Sequence, residues 1–566
     1  MSTQKNQFTG DKVPGLTKAI YPWSGIFRDA CYALVGTFLL QYAMTSGVLS
    51  TDYETYKAQM HIITIAMMIA LVWDGINDPI MGFLVEKFHF KAGKYKPWIL
   101  IGAIGNAIAV ALMFLVRPGG DGWLFVALML VFYFLWDLFF TMNDIGYWSM
   151  LPSLTNDPDE RAKLTTNVTI ATTIGAFVMN MMMFLLPTMI GAQLAYGSCA
   201  VVIAILFLAS QAAIYFFCKE KQRDEKQEEV SEKTGLLDLF KIVGRNKQLL
   251  VIVIVMFLYY IGSGLLTGIG LNYYYLLYGY NGAASMMATM MSVVYVLGTL
   301  IAQVFYPMMV KKMSKMKIIT ICFFVIMAAY LLFFFLGFPV FSENPIASNT
   351  VPTGDAAKDL MAQIGFAVGG THFLVYLCCF FFFAATGIFY LALLVMFQDA
   401  IDYQEWKFGE RKEAIAFAWR PLDVKLGSAV QTGIRNLTFM ITGTQVVLNG
   451  ISTAEGHRIY DPSTGEYIYK GTSESFDKEI QDLYDVFNPT KRNSLIIFGV
   501  IIIGIIIVVF TACFLLLKFG YKITEEKEAQ IVADLKKVHE KDAELIAEGV
   551  SVDQIPETKS EDDIVA

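Results

Sequence analysis

The chain has 566 residues, of which 56% are hydrophobic and 16% charged, with a formal net charge of −7. Soluble domains carry nearer a quarter charged residues, whereas here the apolar residues gather in runs of about twenty, each long enough to cross a ~30 Å hydrocarbon core as a helix. That run length excludes the alternating ten-residue pattern of a β-barrel, and no stripe of basic and aromatic residues points to nucleic acid.

In chain order, residues 1–22 are polar and hold no apolar core before a cleavage site, so the first span is expected to direct insertion. Twelve helical spans are predicted, at 27–48, 60–86, 97–116, 122–145, 165–188, 195–218, 248–276, 284–310, 316–339, 372–397, 423–450 and 494–518. A bilayer cannot satisfy open backbone amides, so such runs must be helices. Lys87, Lys91, Lys94 and Lys96 follow the second span, and Lys311, Lys312, Lys315 and Lys317 follow the eighth. With the charged linker 219–247, these loops belong on the cytoplasmic side, and both termini with them.

The two basic loops hold corresponding places in two six-span halves, 23–218 and 248–520. This is the pattern of a transporter built from two parallel repeats, with its substrate between them near the midplane. Insertions at 340–371 and 451–493 face outward, and 458–470 reads as a β-hairpin around a Pro/Gly turn. The tail 521–566 carries one amphipathic helix pattern (Ile531, Leu535, Val538, Leu545), expected to be solvated or to skim the membrane. The seven cysteines lie in or beside apolar runs without metal-ligand spacing and read as small hydrophobic residues.

Ionisable side chains inside a bilayer are costly, roughly 2.5–3.5 kcal/mol each on insertion scales, so the few present carry information. In the second span, residues 73–82 read Trp-Asp-Gly-Ile-Asn-Asp-Pro-Ile-Met-Gly. Asp74 and Asp78 share a helical face, with Asn77 beside them. Two carboxylates so close cannot both stay ionised without compensation, and a bound cation or a proton removes the conflict. The structural alternative is that Asp78 caps the helix before Pro79 while Asp74 pairs with a Lys or Arg. In the fourth span, Thr141, Asp144 and Trp148 fall on one face: a hydroxyl, a carboxylate and an indole. The carboxylate can accept from sugar hydroxyls while the ring covers an apolar C–H face. Arg28, Asp29 and Lys425 complete the sparse charged set, Arg28–Asp29 being also readable as a simple neighbour pair.

At these residues the sequence resembles the glycoside–pentoside–hexuronide:cation symporter family, a sugar-transporting branch of the major facilitator fold. The resemblance rests on 73–82, on Gly-Lys-Tyr-Lys-Pro-Trp at 93–98, and on Asp-Ile-Gly-Tyr-Trp-Ser-Met-Leu-Pro at 144–152. It continues through Asp-Ala-Ile-Asp-Tyr-Gln-Glu-Trp-Lys at 399–407, Arg411 and the Lys-Leu-Gly segment at 425–427. It implies an all-α fold of twelve transmembrane helices and assigns Asp74, Asn77, Asp78 and Thr141 to the coupling cation. It assigns Asp29, Asp144, Trp148 and Lys425 to the sugar, and Arg161, Asp399, Asp402, Glu405 and Arg411 to a cytoplasmic gate of weak salt bridges. The chain departs from the family pattern where an arginine on span five is replaced by Thr169. A tryptophan on span ten becomes Tyr390, and a glutamine before span eleven becomes Arg420. Arg420 is a candidate replacement for the missing guanidinium; the alternative is that it pairs with Asp423 or the gate acids.

The expected function is import of a glycoside, pentoside or hexuronide coupled to Na⁺ or H⁺, by alternating access, as a monomer in a bacterial cytoplasmic membrane. No enzyme activity is expected, no cofactor and no metal beyond the coupling ion. The rivals are a Na⁺-dependent lysolipid transporter on the same fold and a non-transporting membrane sensor. An intramembrane enzyme is disfavoured because the five histidines are scattered at helix ends and loops.

Overall fold

The computed structural model describes residues 12–88, 90, 92–155, 157–220, 241, 243–340, 356–409, 419–461 and 463–547. The helices begin where short polar side chains can satisfy open amides. Asp52 accepts from the Thr55 amide at 2.9 Å to start α2 (Tyr53–Lys87). Asn246 takes the amides of Gln248 and Leu249 at the head of α7 (Lys247–Tyr278). Asn281 starts α8 (Gly282–Val310) and Ser314 starts α9 (Lys315–Gly337) in the same way. Gly279 (φ 93°) and Gly409 (φ 74°) end α7 and α11 (His372–Phe408) in conformations that suit glycine.

The remaining helices are α1 (Gly15–Thr45), α3 (Lys96–Leu115), α4 (Trp123–Met150), α5 (Pro158–Ile190) and α6 (Ala192–Phe217) in the first half. The second half adds α10 (Ala356–Val368), α12 (Trp419–Ile441), α13 (Gln445–His457), α14 (Phe476–Gly520) and α15 (Glu525–Ala547). Ten described helices are long and apolar enough to cross a membrane. The predicted spans 27–48 and 423–450 are not among the ten, because α1 and α12 carry the charges discussed below. Apolar side chains more than half exposed, such as Leu124, Val202, Val304, Phe324 and Val508, stud the outside of the bundle, as a lipid environment permits.

Within the first half, α1 lies against α5 and α6, and α3 against α4 and α6. The approach of α1 to α5 is close enough that a Cβ on Gly175 would fall on the Ile26 carbonyl, so only glycine fits. In the second half, α11 packs on α8 and α9, and α7 on α12 and α14. The halves meet along two seams, α2 with α12 and α5 with α8.

Three expectations are corrected. The predicted span 423–450 is not one helix: it breaks after Ile441, where Gly443 takes φ 69°, and resumes as α13. The last membrane helix is also longer than expected, since α14 starts inside the predicted insertion, at Phe476. The tail helix α15 does not float: Ile531 and Leu535 are buried, and Asp534 accepts from the Trp406 indole at 3.3 Å. Glu525 and Glu528 both bind Lys315, and the Lys527 ammonium sits 4.1 Å from the Trp406 ring centroid. The predicted hairpin is present, with β1 (Arg458–Asp461) antiparallel to β2 (Glu466–Tyr469) and Arg458 opposite Tyr469.

Candidate functional site

Contacts between the halves gather at the bundle end opposite the Lys-rich loops. The Gly47 amide donates to Ser452 Oγ at 3.1 Å, and Asn449 to the Ser50 carbonyl at 3.1 Å. Buried Glu455 accepts from the Ala192 amide at 2.9 Å and from the Tyr280 hydroxyl at 3.0 Å. Tyr467 of the hairpin donates to the Ile190 carbonyl. Behind this seal lies a cavity of about 670 Å³ between the halves, lined by Asp29, Asp74, Asp137, Thr141, Gln431 and Arg435 among others.

Three of the four residues expected to bind the cation meet at its edge. Thr141 on α4 donates to Asp74 Oδ1 at 3.2 Å. Across the seam, the Lys425 ammonium lies 2.9 Å from Asp74 Oδ2, 3.3 Å from the Asp74 carbonyl, and bonds Asp78 Oδ2. Asn77 is buried on the same helix, and its Nδ2 has no hydrogen-bond partner among the described residues. Lys425, expected beside the sugar residues, is therefore placed on the two carboxylates, because α12 packs directly on α2. The alternative in which Asp74 pairs with a basic residue is realised, and Asp78 shares that partner. One ammonium against two carboxylates still leaves an excess negative charge.

A second cluster lies nearer the Lys-rich end. The Arg28 guanidinium is buried between Asp29, at 2.6 Å, and Asp144. It also stacks over Tyr147 and Trp148, 4.5 and 5.1 Å from their ring centroids. Asp144 and Trp148 remain accessible, 38% exposed each. Arg28, Asp29, Asp144 and Trp148 thus form one group of carboxylates, guanidinium and indole. Arg420 and Tyr390 form another in the second half: Arg420 donates to the Tyr390 hydroxyl at 3.0 Å, which also accepts from Tyr260 at 3.0 Å. The Arg420–Asp423 pair considered from spacing is not formed; Asp423 is buried and its Oδ2 has no hydrogen-bond partner among the described residues. Thr169 bonds back to its own helix at the Thr165 carbonyl.

Arg161 donates to the Thr155 carbonyl at 3.0 Å and forms no ion pair among the described residues. Asp399 is held by Lys315 and by the Tyr521 hydroxyl within its own half. Asp402 and Glu405 lie further along α11, Glu405 buried, and Arg411 lies outside the described residues.

Sequence reasoning missed two residues that the cavity displays. Asp137 on α4 is 5% exposed, and its Oδ2 has no hydrogen-bond partner among the described residues. Arg435 on α12 donates to the Gly268 carbonyl, and its Nε has no partner among the described residues. Both interrupt predicted spans, so the rule that singled out Asp74 applied equally to them.

A family model described as MFS/sugar transport protein matches residues 29–455. A raffinose carrier protein of Pediococcus pentosaceus is 24% identical over 440 residues, covering 75% of this chain and 62% of its own length. A lactose permease of Lactobacillus delbrueckii subsp. bulgaricus is 25% identical, covering 79% of this chain and 66% of its own length. The chain thus spans slightly less than two thirds of both relatives. An isoprimeverose transporter of Lactiplantibacillus pentosus is 24% identical, covering 75% of this chain and 82% of its own length. Among solved structures, a peptide transporter POT bound to sulfate matches with TM-score 0.51 at 11% identity, covering 78% of this chain and 93% of its own. The nucleoside transporter NupG matches with TM-score 0.50 at 12% identity, covering 77% and 98%. These two likenesses concern the fold.

Proposed function

The chain belongs to the MFS/sugar transport protein family, and on that premise we propose that it is a sugar symporter driven by Na⁺ or H⁺, working by alternating access. The observation that carries the coupling is the excess negative charge of Asp74 and Asp78 over Lys425 at the edge of the cavity. A cation or proton arriving there balances the cluster and competes with the ammonium. Thr141 joins that cluster to α4, which also carries Asp144 and Trp148. Filling the ion site therefore acts on the sugar site through one helix. By reciprocity the sugar tightens the ion by the same factor. Contacts between the halves close the end opposite the Lys-rich loops, which fits one of the states that alternating access requires. Polar groups from both halves around the cavity favour a sugar over an acyl chain.

The test is uptake into proteoliposomes under imposed Na⁺ or H⁺ gradients, alongside a thermal-shift screen of glycosides, pentosides and hexuronides with and without Na⁺. Joint stabilisation by one sugar and one cation, with gradient-driven accumulation of that sugar, is expected. Uptake that ignores both gradients would remove the coupling, and the absence of any sugar response would remove the substrate class.

A further inference from the structure

Of the four charged side chains that line the cavity among the described residues, two have ion partners: Asp29 has Arg28, and Asp74 has Lys425. Asp137 and Arg435 form no ion pair among the described residues, and they line the cavity one from each half. Both lie deeper toward the sealed end than the residues already described. Asp137 precedes Asp144 by seven residues on α4, about 10 Å of helix, and Arg435 follows Lys425 by ten on α12, about 15 Å. The kink in α7 at Gly270 (φ 30°, ψ −104°) lies beside Arg435, whose Nη1 takes the nearby Gly268 carbonyl. One turn earlier on α12, Gln431 takes the Tyr260 carbonyl.

An arginine has five N–H donors, and the single carbonyl bond of Arg435 leaves most of them for a ligand in the cavity. Asp137 is acceptor-only when ionised. Around it runs an aromatic wall that also lines the cavity: Tyr133 and Trp136 stack at 5.5 Å between centroids, Trp136 and Phe140 at 5.4 Å. A carboxylate beside flat rings suits a pyranose, whose hydroxyls donate to the one while its C–H face covers the other. Arg435, from the other half, suits the acceptor oxygens of the same ring.

We propose that Asp137 and Arg435 form a second sugar subsite that takes a further sugar unit, beyond the ring held near Asp29 and Asp144, so that the substrate is an oligosaccharide. This rests on the sugar-transport reading above. The experiment measures equilibrium binding to the purified full chain. The probes are methyl hexosides and methyl pentosides, set against di- and trisaccharides ending in the same units, with lactose, raffinose and isoprimeverose among them. Wild type is expected to prefer the longer sugar of a pair. Arg435→Gln and Asp137→Asn should each weaken that longer sugar about ten- to a hundredfold, the range of a lost charge-assisted hydrogen bond, while the methyl glycoside binds as before. Retained methyl-glycoside binding also reports an intact fold; should Arg435→Gln not fold, the isosteric Asp137→Asn decides alone. Equal losses for short and long sugars, no loss for either, or no length preference in wild type would overturn the subsite. Failure of wild type to bind any sugar would instead overturn the sugar-transport reading itself.

Discussion

Replacing Lys425 by methionine keeps most of its length and removes its charge. In the structure its ammonium is 2.9 Å from Asp74 and also bonds Asp78, at the place an incoming cation would occupy. Charge-assisted hydrogen bonds of this kind contribute about 1.5–3 kcal/mol net, and a cation entering the site has to displace them. Without the ammonium that cost disappears, so cation affinity should rise about ten- to a hundredfold. The cation-free protein should suffer, because two carboxylates about 6 Å apart repel by about 3 kcal/mol at an effective dielectric of 20. Isothermal titration with Na⁺ and Li⁺, paired with melting curves, reads both effects. The variant should melt lower than wild type without cation and recover more on adding it. Weaker or unchanged cation binding would refute the competition between ammonium and ion.

Asp78→Cys is expected to abolish cation-driven accumulation while sugar binding stays detectable; retained Na⁺- or H⁺-driven uptake would remove Asp78 from the ion site. Gly47→Ala places a methyl on the Gly456 backbone at a residue with φ 69°, so the outward seal should fail to close. Cysteine labelling from outside should then reach the cavity faster than in wild type, and equal labelling would show that the seal lies elsewhere. Arg420→Gln should weaken sugar binding if Arg420 stands in for the guanidinium missing at Thr169; unchanged affinity would reduce Arg420 to a support for Tyr390.

Much of the architecture was legible because membrane helices announce themselves by run length. The hairpin was legible too, because its turn residues sit between alternating apolar positions. The break at Gly443 was hidden, since a glycine inside an apolar run reads as a tolerated residue until neighbouring helices fix its φ. Asp74 and Asp78 could be grouped from sequence because helical spacing put both carboxylates on one face; Thr141, on a different helix, was joined to them only by the family resemblance. Lys425 could not be placed with them: which helices adjoin across the seam is a property of the packed bundle, not of either helix. Asp137 stood in plain view: it lies four residues before Thr141, on the face that Thr141, Asp144 and Trp148 share, and the same helical spacing adds it to that group. The docking of α15 was equally opaque, because an amphipathic stripe does not say whether lipid, water or protein will cover it.

The outward seal is drawn from a short stretch of chain, with Asn449, Ser452, Glu455 and Tyr467 each reaching the first half. Opening must rupture all four together, so the barrier behaves as a single latch rather than a diffuse surface. The hairpin that carries its last tooth projects from the face predicted to lie outside the cell. An antibody fragment gripping it there would halt the cycle without touching the route the cargo takes.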